Sequence, residues 1–542
     1  MRKLVAWRFE LRKWQKQACK LAKERYEAGG QDFLCVATPG AGKTIFALRM
    51  AHYLLRHRMV ERIVILCPTE HLKKQWALSA ARFGINIDPN FDNGMMRETS
   101  DYFGVSITYA QVGRAPLVHK SNVAWKKTFA IFDEIHHLGD DMSWGDAGRD
   151  AFENASFRLA ISGTPFRRDT NPIPFINYTD EQSKADYTYG YQHAIKDNVC
   201  RPVFFPAFDG KMKWRSAGRI MTATFSDMVN KEQASERLRT ALSATGQWLE
   251  EVIIDADSKL DEIRRGEHED AAGLIITMDQ AHAREVGKKL KALTGITPVI
   301  VVSEDPKASK KIKEFTADKN KWIIAVKMIS EGVDIPRLRV GIFATNIKSE
   351  LFFRQAVGRF VRMIQGLSSQ QAYFYIPKDR ILVEYAKQIE MEREHALNKP
   401  IEDEEFEEEQ LELLWGSESD EQDNDKFEAI SSKALEKFQY ELDFGLEFAR
   451  PEEESIEDNE EEDHWLEEDE HEEEIPLFEL AGRLKDDIKE IARVVASKKQ
   501  KGSARVDWDL PHKQWIQVGG KPIDQESVTE LKKRKKWLLS QL

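Results

Sequence analysis

Uninterrupted apolar runs, recurring along the chain, are the feature that most limits how this sequence can fold. The first four are FLCVAT (33–38), RIVILCP (62–68), TFAIFDE (128–134) and FRLAISGT (157–164). Because polar and apolar residues do not alternate within them, these runs are typical of strands covered on both faces, as in a parallel sheet. A stretch with helical spacing begins at Thr44, between the first two runs. The pattern predicts a doubly wound α/β domain.

A second series of such runs follows residue 201. Its members are GLIITM (273–278), PVIVV (298–302), WIIAV (322–326), VGIFAT (340–345) and AYFYI (372–376). We therefore predict an α/β fold with two tandem, doubly wound parallel-sheet domains, at residues 1–200 and 201–380. The charged stretch at 205–270 is predicted to be helical and to precede the second sheet. Residues 381–542 are predicted to form an accessory, mainly helical region.

The cysteines and the N-terminus indicate the compartment. The cysteines, which show no C-x-x-C spacing, are Cys19, Cys35, Cys67 and Cys200. Neither a disulfide framework nor a zinc site is predicted, which fits a reducing cytoplasm. Arg8 and Glu10 interrupt the N-terminus before a signal-peptide core could form, and no apolar run approaches the roughly 18 residues of a membrane span. We expect a cytoplasmic protein without a membrane partner.

The net charge of −12 is distributed very unevenly. Residues 401–480 hold 35 acidic and 4 basic residues, a local charge of −31. The remainder of the chain holds 57 acidic and 76 basic residues, a net charge of +19. Most of the protein therefore suits a polyanionic partner, although its total charge is negative.

The C-terminal third combines acidic blocks with helical patterns. The blocks at 401–412 and 452–474 repel themselves, so we expect disorder or solvated helix there. Between them, SSKALEKFQYELDFGLEFA (431–449) has helical spacing. The stretch at 476–500 is predicted to be an amphipathic helix with Pro476 near its start. The basic end of the chain, with KKRKKW, is either a further nucleic-acid contact or a solvated helix face.

The sequence ATPGAGKT (37–44) departs from the phosphate-binding pattern G-x-x-x-x-G-K-[ST] only at Ala37, which replaces the first glycine. It follows an apolar strand and precedes a helix, as the pattern requires. Backbone N–H groups of such a loop cradle phosphates, while Lys43 would reach the β/γ oxygens and the Thr44 hydroxyl would bind Mg²⁺. The alternative is an ordinary glycine-containing turn.

A second motif argues against that alternative. Asp133 and Glu134 end an apolar strand, at the edge where ligands of α/β sheets collect. Asp133 would hold Mg²⁺ through its water shell, and Glu134 would polarise the water that attacks the γ-phosphate. An acidic helix N-terminus would explain the pair in isolation, but not together with Lys43. His136 and His137 lack a third ligand at metal spacing, so no metal site is predicted there.

The third motif is FRQAVGRFVRM (353–363) in the second predicted domain. Gln355, Arg359 and Arg362 are spaced by four and three, so we predict that they share one face of a helix. Arginines from a separate domain can stabilise charge on a transferring phosphoryl group, which makes hydrolysis depend on domain closure. A solvated basic helix is the alternative.

Eight motifs, in order, are similar to those of superfamily 2 helicases and translocases of the DExH type. They are LRKWQKQA (11–18), ATPGAGKT (37–44), ILCPTEHLKKQW (65–76), SITYAQV (106–112), DEIHH (133–137), SGTPFRRD (162–169), SEGVDIPRL (330–338) and QAVGRFVR (355–362). The resemblance covers residues 9–378 and is nearest to the branch of XPB-like helicases and restriction-enzyme motor subunits. It implies RecA-like domains, ATP and Mg²⁺ as cofactors, and nucleic acid as partner, with DNA favoured over RNA.

The resemblance also implies roles at matching positions. Gln15 would read adenine, and the remaining nucleotide-binding positions would be Pro39, Gly40, Ala41, Gly42, Lys43, Thr44, Gly332 and Asp334. Ser162 and Thr164 would couple the ATP site to nucleic acid, and His136 would bridge to Gln355 or its neighbours. The implied nucleic-acid contacts are Pro68, Thr69, Thr108 and Thr345. For Thr69 and Thr108, ordinary helix capping is nearly as good an explanation.

Taken together, these features predict an ATP-dependent DNA helicase that couples hydrolysis between two RecA-like domains to translocation and strand separation. One alternative is a double-stranded DNA translocase or remodelling subunit of a multi-protein bacterial defence, restriction or repair complex, whose nuclease would be another chain. Another is a partner-docking protein that uses residues 381–542 and is regulated by its acidic tail. Segment 401–480 would bind a basic partner, or mimic DNA and lie in the groove of its own motor as an autoinhibitor. A solvated linker explains that segment equally well.

Overall fold

The computed structural model describes residues 4–139, 142–163, 173–179, 182–266, 268–302, 305, 307–326, 335–364, 366–367, 370–397, 427–438, 475–500 and 506–542. The chain divides into two compact units, Met1–Gln439 and Tyr440–Leu542. None of the helices in the described ranges combines the length and apolar character that crossing a membrane requires.

The first half of the larger unit is built on a parallel sheet. The strands of the sheet are β1 (Asp32–Ala37), β2 (Arg62–Cys67), β3 (Ile87–Asp88), β4 (Gly104–Thr108), β5 (Thr128–Asp133), β6 (Phe157–Ser162) and β9 (Tyr187–Tyr189). Two further strands, β7 (Tyr178–Thr179) and β8 (Gln182–Ser183), form a separate antiparallel pair. The sheet order is β3-β4-β2-β5-β6-β1-β9, and its strand pairs are parallel. Each of β2, β4 and β5 is buried along its whole length, as the uninterrupted apolar runs predict.

Helices connect these strands. They are α1 (Lys13–Glu27), α2 (Lys43–Arg56), α3 (Glu70–Ala81), α4 (Tyr109–Arg114), α5 (Pro116–Trp125), α6 (Met142–Phe152) and α7 (Tyr191–Lys196). The strand β6 lies between β5 and β1 and is parallel to both. The chain segments that follow these three strands therefore lie together at the C-terminal end of the sheet.

The second half of the larger unit is built on a second, mixed sheet. Its strands are β10 (Val203–Phe204), β11 (Ala207–Ser216), β12 (Arg219–Thr224), β13 (Ala272–Thr277), β14 (Val299–Val301), β15 (Trp322–Val326), β16 (Leu338–Ala344), β17 (Ala372–Pro377) and β18 (Glu428–Phe438). The order is β12-β11-β17-β16-β13-β15-β14, with β10 on β17 and β18 on β11. Its helices are α8 (Lys231–Ala241), α9 (Gln247–Arg265), α10 (Gln280–Thr294), α11 (Ala308–Ala317), α12 (Glu350–Val357) and α13 (Arg380–Leu397). The predicted fold class, two α/β sheets followed by a largely helical region, is confirmed.

Two local predictions in this half are wrong. The stretch 205–270 is not wholly helical, since β11 and β12 form an antiparallel pair before α8 begins. The helical spacing at 431–449 is also misleading, because the chain up to Phe438 is the strand β18, antiparallel to β11. Strands β11 and β18 bury alternate residues, β11 against α8 and β18 against α8 and α9. This tertiary packing overrides local helix propensity. Apart from 427–438 and 475–480, residues 401–480 lie outside the described residues.

The smaller unit is a group of helices: α14 (Leu477–Lys499), α15 (Leu510–Gln517) and α16 (Val528–Leu539). The predicted amphipathic helix is therefore present, with Pro476 as its N-cap. Ile488 of α14 packs with Leu531 and Leu538 of α16 in the core of this unit, and all three side chains are fully buried. Arg534 lies within 3.3 Å of the buried Glu526 carboxylate, so the buried guanidinium is paired.

Candidate active site

The phosphate-binding pattern forms the loop between β1 and α2. Gly40 and Gly42 have φ of 80° and 98°, in the left-handed region where glycine is favoured. A Cβ on Gly40 would lie only 3.3 Å from Cγ of Arg362, so the loop also approaches the second sheet closely. Gly42 caps α2, whose first residues are Lys43 and Thr44. The free N–H groups of a helix N-terminus are thus available to an anion.

Residues of α1 support this loop from beneath. Arg12 donates a hydrogen bond to Ala41 O at 2.7 Å and Trp14 donates to the same oxygen at 3.2 Å. Gln15, which is buried, donates from Nε2 to Gly42 O at 3.0 Å. The predicted adenine contact thus lies against the phosphate loop, and Arg12 and Trp14 are supporting residues that the sequence analysis did not single out.

Lys43 and Glu134 face each other across the end of the sheet. Lys43 Nζ donates to Ala37 O at 2.9 Å and lies 3.7 Å from Glu134 Oε1. Gly163, which follows β6, donates its N–H to Glu134 Oε2 at 3.0 Å. Glu134 has a φ of 48°, a left-handed conformation that costs energy for a non-glycine residue and is typical of functional sites.

Asp133 is buried and held from two directions. The Trp76 indole N–H donates to Asp133 Oδ2 at 2.7 Å, and the Tyr109 hydroxyl donates to its main-chain oxygen at 2.9 Å. Neither aromatic residue was singled out from the sequence. Trp76 ends the motif ILCPTEHLKKQW and Tyr109 lies within SITYAQV, so these motifs contained the only signal.

The two carboxylates have pKa values shifted in opposite directions. Burial, with the neighbouring Glu134 charge, raises the pKa of Asp133. Burial also acts to raise the pKa of Glu134, but Lys43 and His136 outweigh it and lower that pKa. The pKa of Glu134 is therefore held below that of Asp133, and a bound cation would lower the pKa of Asp133.

His136 connects the two sheets. Its Nδ1 lies 3.4 Å from Ser162 Oγ and 3.7 Å from Glu134 Oε2. Its Nε2 lies 3.4 Å from Nε2 of Gln355, which is on α12 of the second sheet. The implied bridge between His136 and Gln355 is thus present as a side-chain contact.

The predicted helix through Gln355, Arg359 and Arg362 is wrong in part. Helix α12 ends at Val357, and Gly358 packs so closely on Pro39 that a Cβ there would lie 2.6 Å from the proline ring. Arg359 lies in the turn that follows. Arg362 lies in an antiparallel bridge with Cys200, whose thiol donates to Pro39 O at 3.5 Å. The helix thus ends at the point where the phosphate loop approaches it.

The predicted nucleic-acid contacts are spread over both sheets. Thr69 and Thr108 accept hydrogen bonds from Leu72 N (3.4 Å) and Gln111 N (3.1 Å), so both cap helices. Pro68 and Thr69 are half-buried, whereas Thr108 and Thr345 are buried. The hydroxyls of the last two are thus withdrawn from the surface, and their contacts with nucleic acid stay predictions.

Three predicted residues, Thr164, Gly332 and Asp334, lie outside the described residues. For the metal, the described residues contain no cluster of three or more His, Cys, Asp or Glu side chains. One hydroxyl and one carboxylate, from Thr44 and Asp133, fit Mg²⁺ that arrives with a triphosphate, since this ion keeps most of its ligands as water and phosphate oxygens. The two left-handed glycines and the start of α2 fit the phosphates themselves.

Comparison with known proteins agrees with this geometry. The family model described as type III restriction enzyme, res subunit, matches residues 8–167. An uncharacterized protein of Mycobacterium tuberculosis is 44% identical over 396 residues, which span 72% of this chain and 65% of that relative. The DNA 3'-5' translocase XPB2 of Sulfurisphaera tokodaii is 24% identical over 382 residues, 66% of this chain and 80% of its own.

Among solved structures, the DNA-bound, ATP-dependent type ISP restriction-modification enzyme LlaBIII has a TM-score of 0.48 and 15% identity, covering 72% of this chain and 30% of its own. The resemblance to superfamily 2 and to its restriction-motor and XPB-like branch is confirmed by the family match. A helicase-like motor domain is the activity class that this match supports.

Proposed function

We propose that the protein is an ATP-dependent motor on nucleic acid, with DNA as its track. The match of residues 8–167 to the family of the type III restriction enzyme res subunit supports this proposal. We place its two motor domains at residues 1–200 and 201–380. Accessory residues 381–542 would then be available to a protein partner. The four cysteines are unpaired and buried, so a reducing cytoplasm is the proposed location.

The observation that carries the proposal is the meeting of both sheets at the phosphate loop. Pro39 lies against Gly358, Gly40 lies against Arg362, and His136 lies beside Gln355. A site that served only to bind a nucleotide would not need the second sheet. When residues near both sheets complete the site, the rate of ATP hydrolysis depends on the relative position of the sheets. A translocating motor requires this dependence.

Within this site, Lys43 and the start of α2 would hold the β- and γ-phosphates, and Thr44 with Asp133 would hold Mg²⁺. When bound, Mg²⁺ would neutralise negative charge on the phosphates. Glu134, kept charged by Lys43 and His136, is oriented by the Gly163 N–H to accept a proton from the attacking water. Arg359 and Arg362 would stabilise charge on the transferring phosphoryl group.

DNA is favoured because the XPB2 relative is named a DNA translocase and because the chain outside 401–480 carries a net charge of +19. The residues predicted to contact DNA, such as Thr69, would bind its phosphates without distinguishing between base sequences. A second candidate function is movement on duplex DNA without strand separation. The match to a restriction-enzyme subunit family favours it.

The test is steady-state ATP hydrolysis with single-stranded DNA, forked DNA, duplex DNA and RNA, each compared with no nucleic acid. We expect stimulation by DNA, which Glu134→Gln abolishes. Displacement of a third strand from a duplex, without unwinding of a fork, would favour the translocase. An absence of hydrolysis with every nucleic acid would contradict the motor proposal.

A further inference from the structure

The antiparallel part of the second sheet presents an open, basic face, which we call the strand face. It is formed by β11 with β12 on one side and β18 on the other. Alternate residues of β11 point inward, where Met212 and Trp214 are fully buried. The intervening residues Lys211, Lys213 and Arg215 are exposed. The inner side is covered by α8 and α9, so the strand face is the opposite side of the same strands.

Positive charge is concentrated on this face. Lys433 of β18 is directly opposite Lys211 in the strand register, and both are exposed. Like charges at directly opposed positions destabilise a strand pair unless a counter-charge lies between them. The exposed hydroxyls of Thr222 and Ser431 both stand opposite Lys213, on neighbouring strands. The face therefore offers a polyanion a row of cations along β11, with a hydroxyl on each side of Lys213 and the exposed apolar side chain of Ile220 beside Arg215.

One carboxylate already binds at its end. Arg215 forms an ion pair with Glu428, the first residue of β18. The residues before β18, at 401–426, hold 13 acidic residues and 1 basic residue. Glu428 thus continues that acidic run onto the face, and Arg215 shows how the face accepts an acidic side chain.

The same segment is tethered to the larger unit at both ends. It follows α13, which ends at Leu397, and it leads into Phe427 and β18. Asp425 is two residues from Phe427, and an extended chain reaches about 3.3 Å per residue. Such a tether keeps the acidic residues at a millimolar effective concentration, on the order that short linkers give. A free polyanion of equal intrinsic affinity must exceed that concentration to compete.

We propose that the strand face is a docking site for the acidic segment 401–426 of its own chain. Lys211, Lys213 and Lys433 bind its carboxylates, beside the ion pair that Arg215 already forms with Glu428, and β18 tethers the segment to this sheet. The pairing is electrostatic, so it weakens as salt rises. While docked, the segment keeps these cations from nucleic acid, which makes the segment a local competitor rather than a passive linker. The proposal does not depend on the motor function.

The test is zero-length carbodiimide cross-linking of the full chain, which joins lysines to carboxylates, read by mass spectrometry. We expect Lys211, Lys213 and Lys433 to link to residues 401–426 several-fold more often than Lys288 and Lys313, exposed lysines on helices of the same unit. In about 1 M salt, where the Debye length is about 3 Å, the excess should vanish. Mixing isotopically light and heavy protein distinguishes links within one chain from links between chains. Links no more frequent than those of the two control lysines would overturn the proposal.

A second measurement decides between the acidic segment and nucleic acid as occupant. If the segment occupies the face, neutralising it (Glu418→Gln, Asp420→Asn, Glu421→Gln, Asp423→Asn, Asp425→Asn) should tighten binding of a fluorescent DNA. Adding Lys211→Glu and Lys213→Glu should remove that gain, whereas these two changes in the otherwise unchanged chain should leave DNA affinity nearly as it was. A large loss of affinity from the lysine changes alone would assign the face to nucleic acid and overturn the proposal.

Discussion

Asp133 shows how single residues can connect distant functions of the molecule. Trp76, its hydrogen-bond donor, lies on α3, which Thr69 caps. Tyr109, which binds its main-chain oxygen, directly follows Thr108. Trp76 and Tyr109 thus belong to segments that are predicted to contact nucleic acid, and both donate hydrogen bonds to Asp133, the predicted metal ligand. A shift of either helix would move Asp133, and this offers a physical route for stimulation of hydrolysis by DNA.

Trp76→Phe tests that route. An aromatic side chain is kept, although a smaller one, but the donor to Asp133 Oδ2 is lost. We therefore expect the Mg²⁺ concentration for half-maximal ATP hydrolysis to rise about 10-fold, as when other outer partners of metal ligands are removed. A magnesium titration of the ATPase rate measures it. Trp125→Phe, at an exposed position 44% accessible to solvent, is the control and should change nothing. An unchanged magnesium requirement in Trp76→Phe would rule out the positioning role.

Gly358→Ala tests the contact between the sheets. The new Cβ would lie 2.6 Å from the Pro39 ring, so the phosphate loop and the end of α12 must separate. We expect kcat for ATP hydrolysis to fall on the order of 100-fold, since a displacement of about 1 Å has that effect in preorganised sites. Gly482→Ala, where a Cβ meets nothing within 4 Å, serves as the control. Equal activity of both variants would contradict a close contact at Pro39.

Among the elements, the helices of the smaller unit have a simple core that can be tested directly. Ile488 is fully buried between α14 and α16. Ile488→Ala should therefore destabilise this unit by about 2–5 kcal/mol, the usual cost of such a cavity. Amide hydrogen exchange of α14 and α16 in the full chain reports the change. Val494→Ala, at an exposed position of the same helix, should stay within about 0.5 kcal/mol of wild type.

The start of α16 makes that unit sensitive to acid. Burial acts to raise the pKa of Glu530, but hydrogen bonds from Lys521 and Ser527 lower it to about 2, from 4.5. Because the folded-state pKa is lowered, this carboxylate stabilises the fold above about pH 4.5, and its contribution is lost as the pH falls toward 2. Thermal unfolding of wild type and Glu530→Gln at a series of pH values should show a difference that shrinks over this window. A difference constant with pH would refute the assignment.

At the level of elements, the sequence was a good guide to the strands of the parallel sheets and a poor one elsewhere. Strands such as β2 are recognisable because burial on both faces makes the run that follows Arg62, Ile63 to Cys67, continuously apolar. Strand β18 was predicted as helix, since its spacing of apolar residues fits a helix and its partner β11 is about 200 residues away. The end of α12 was missed for the same reason, because Pro39 approaches Gly358 only in the folded chain.

For the whole molecule, motif order predicted that the phosphate loop, Asp133, Glu134 and Gln355 belong to one site. It did not predict the supports of that site. Trp76 and Tyr109 act through contacts that only the sheet order creates, because β2, β4 and β5 are neighbours. Charge counting predicted an acidic segment in a basic chain, but the antiparallel strands that could bind it became visible only in the fold.

The central claim is that ATP hydrolysis requires the second sheet, and Arg362→Ala tests it most directly. ATP affinity and kcat should be measured together on the same preparation, with Arg284→Gln, an exposed position of α10, as the control. We predict ATP affinity close to that of wild type and a kcat lower by about 10³-fold or more, the size of effect known for arginines that act on a transferring phosphoryl group. A kcat equal to that of the control would mean that hydrolysis is complete within the first sheet, and would contradict the account.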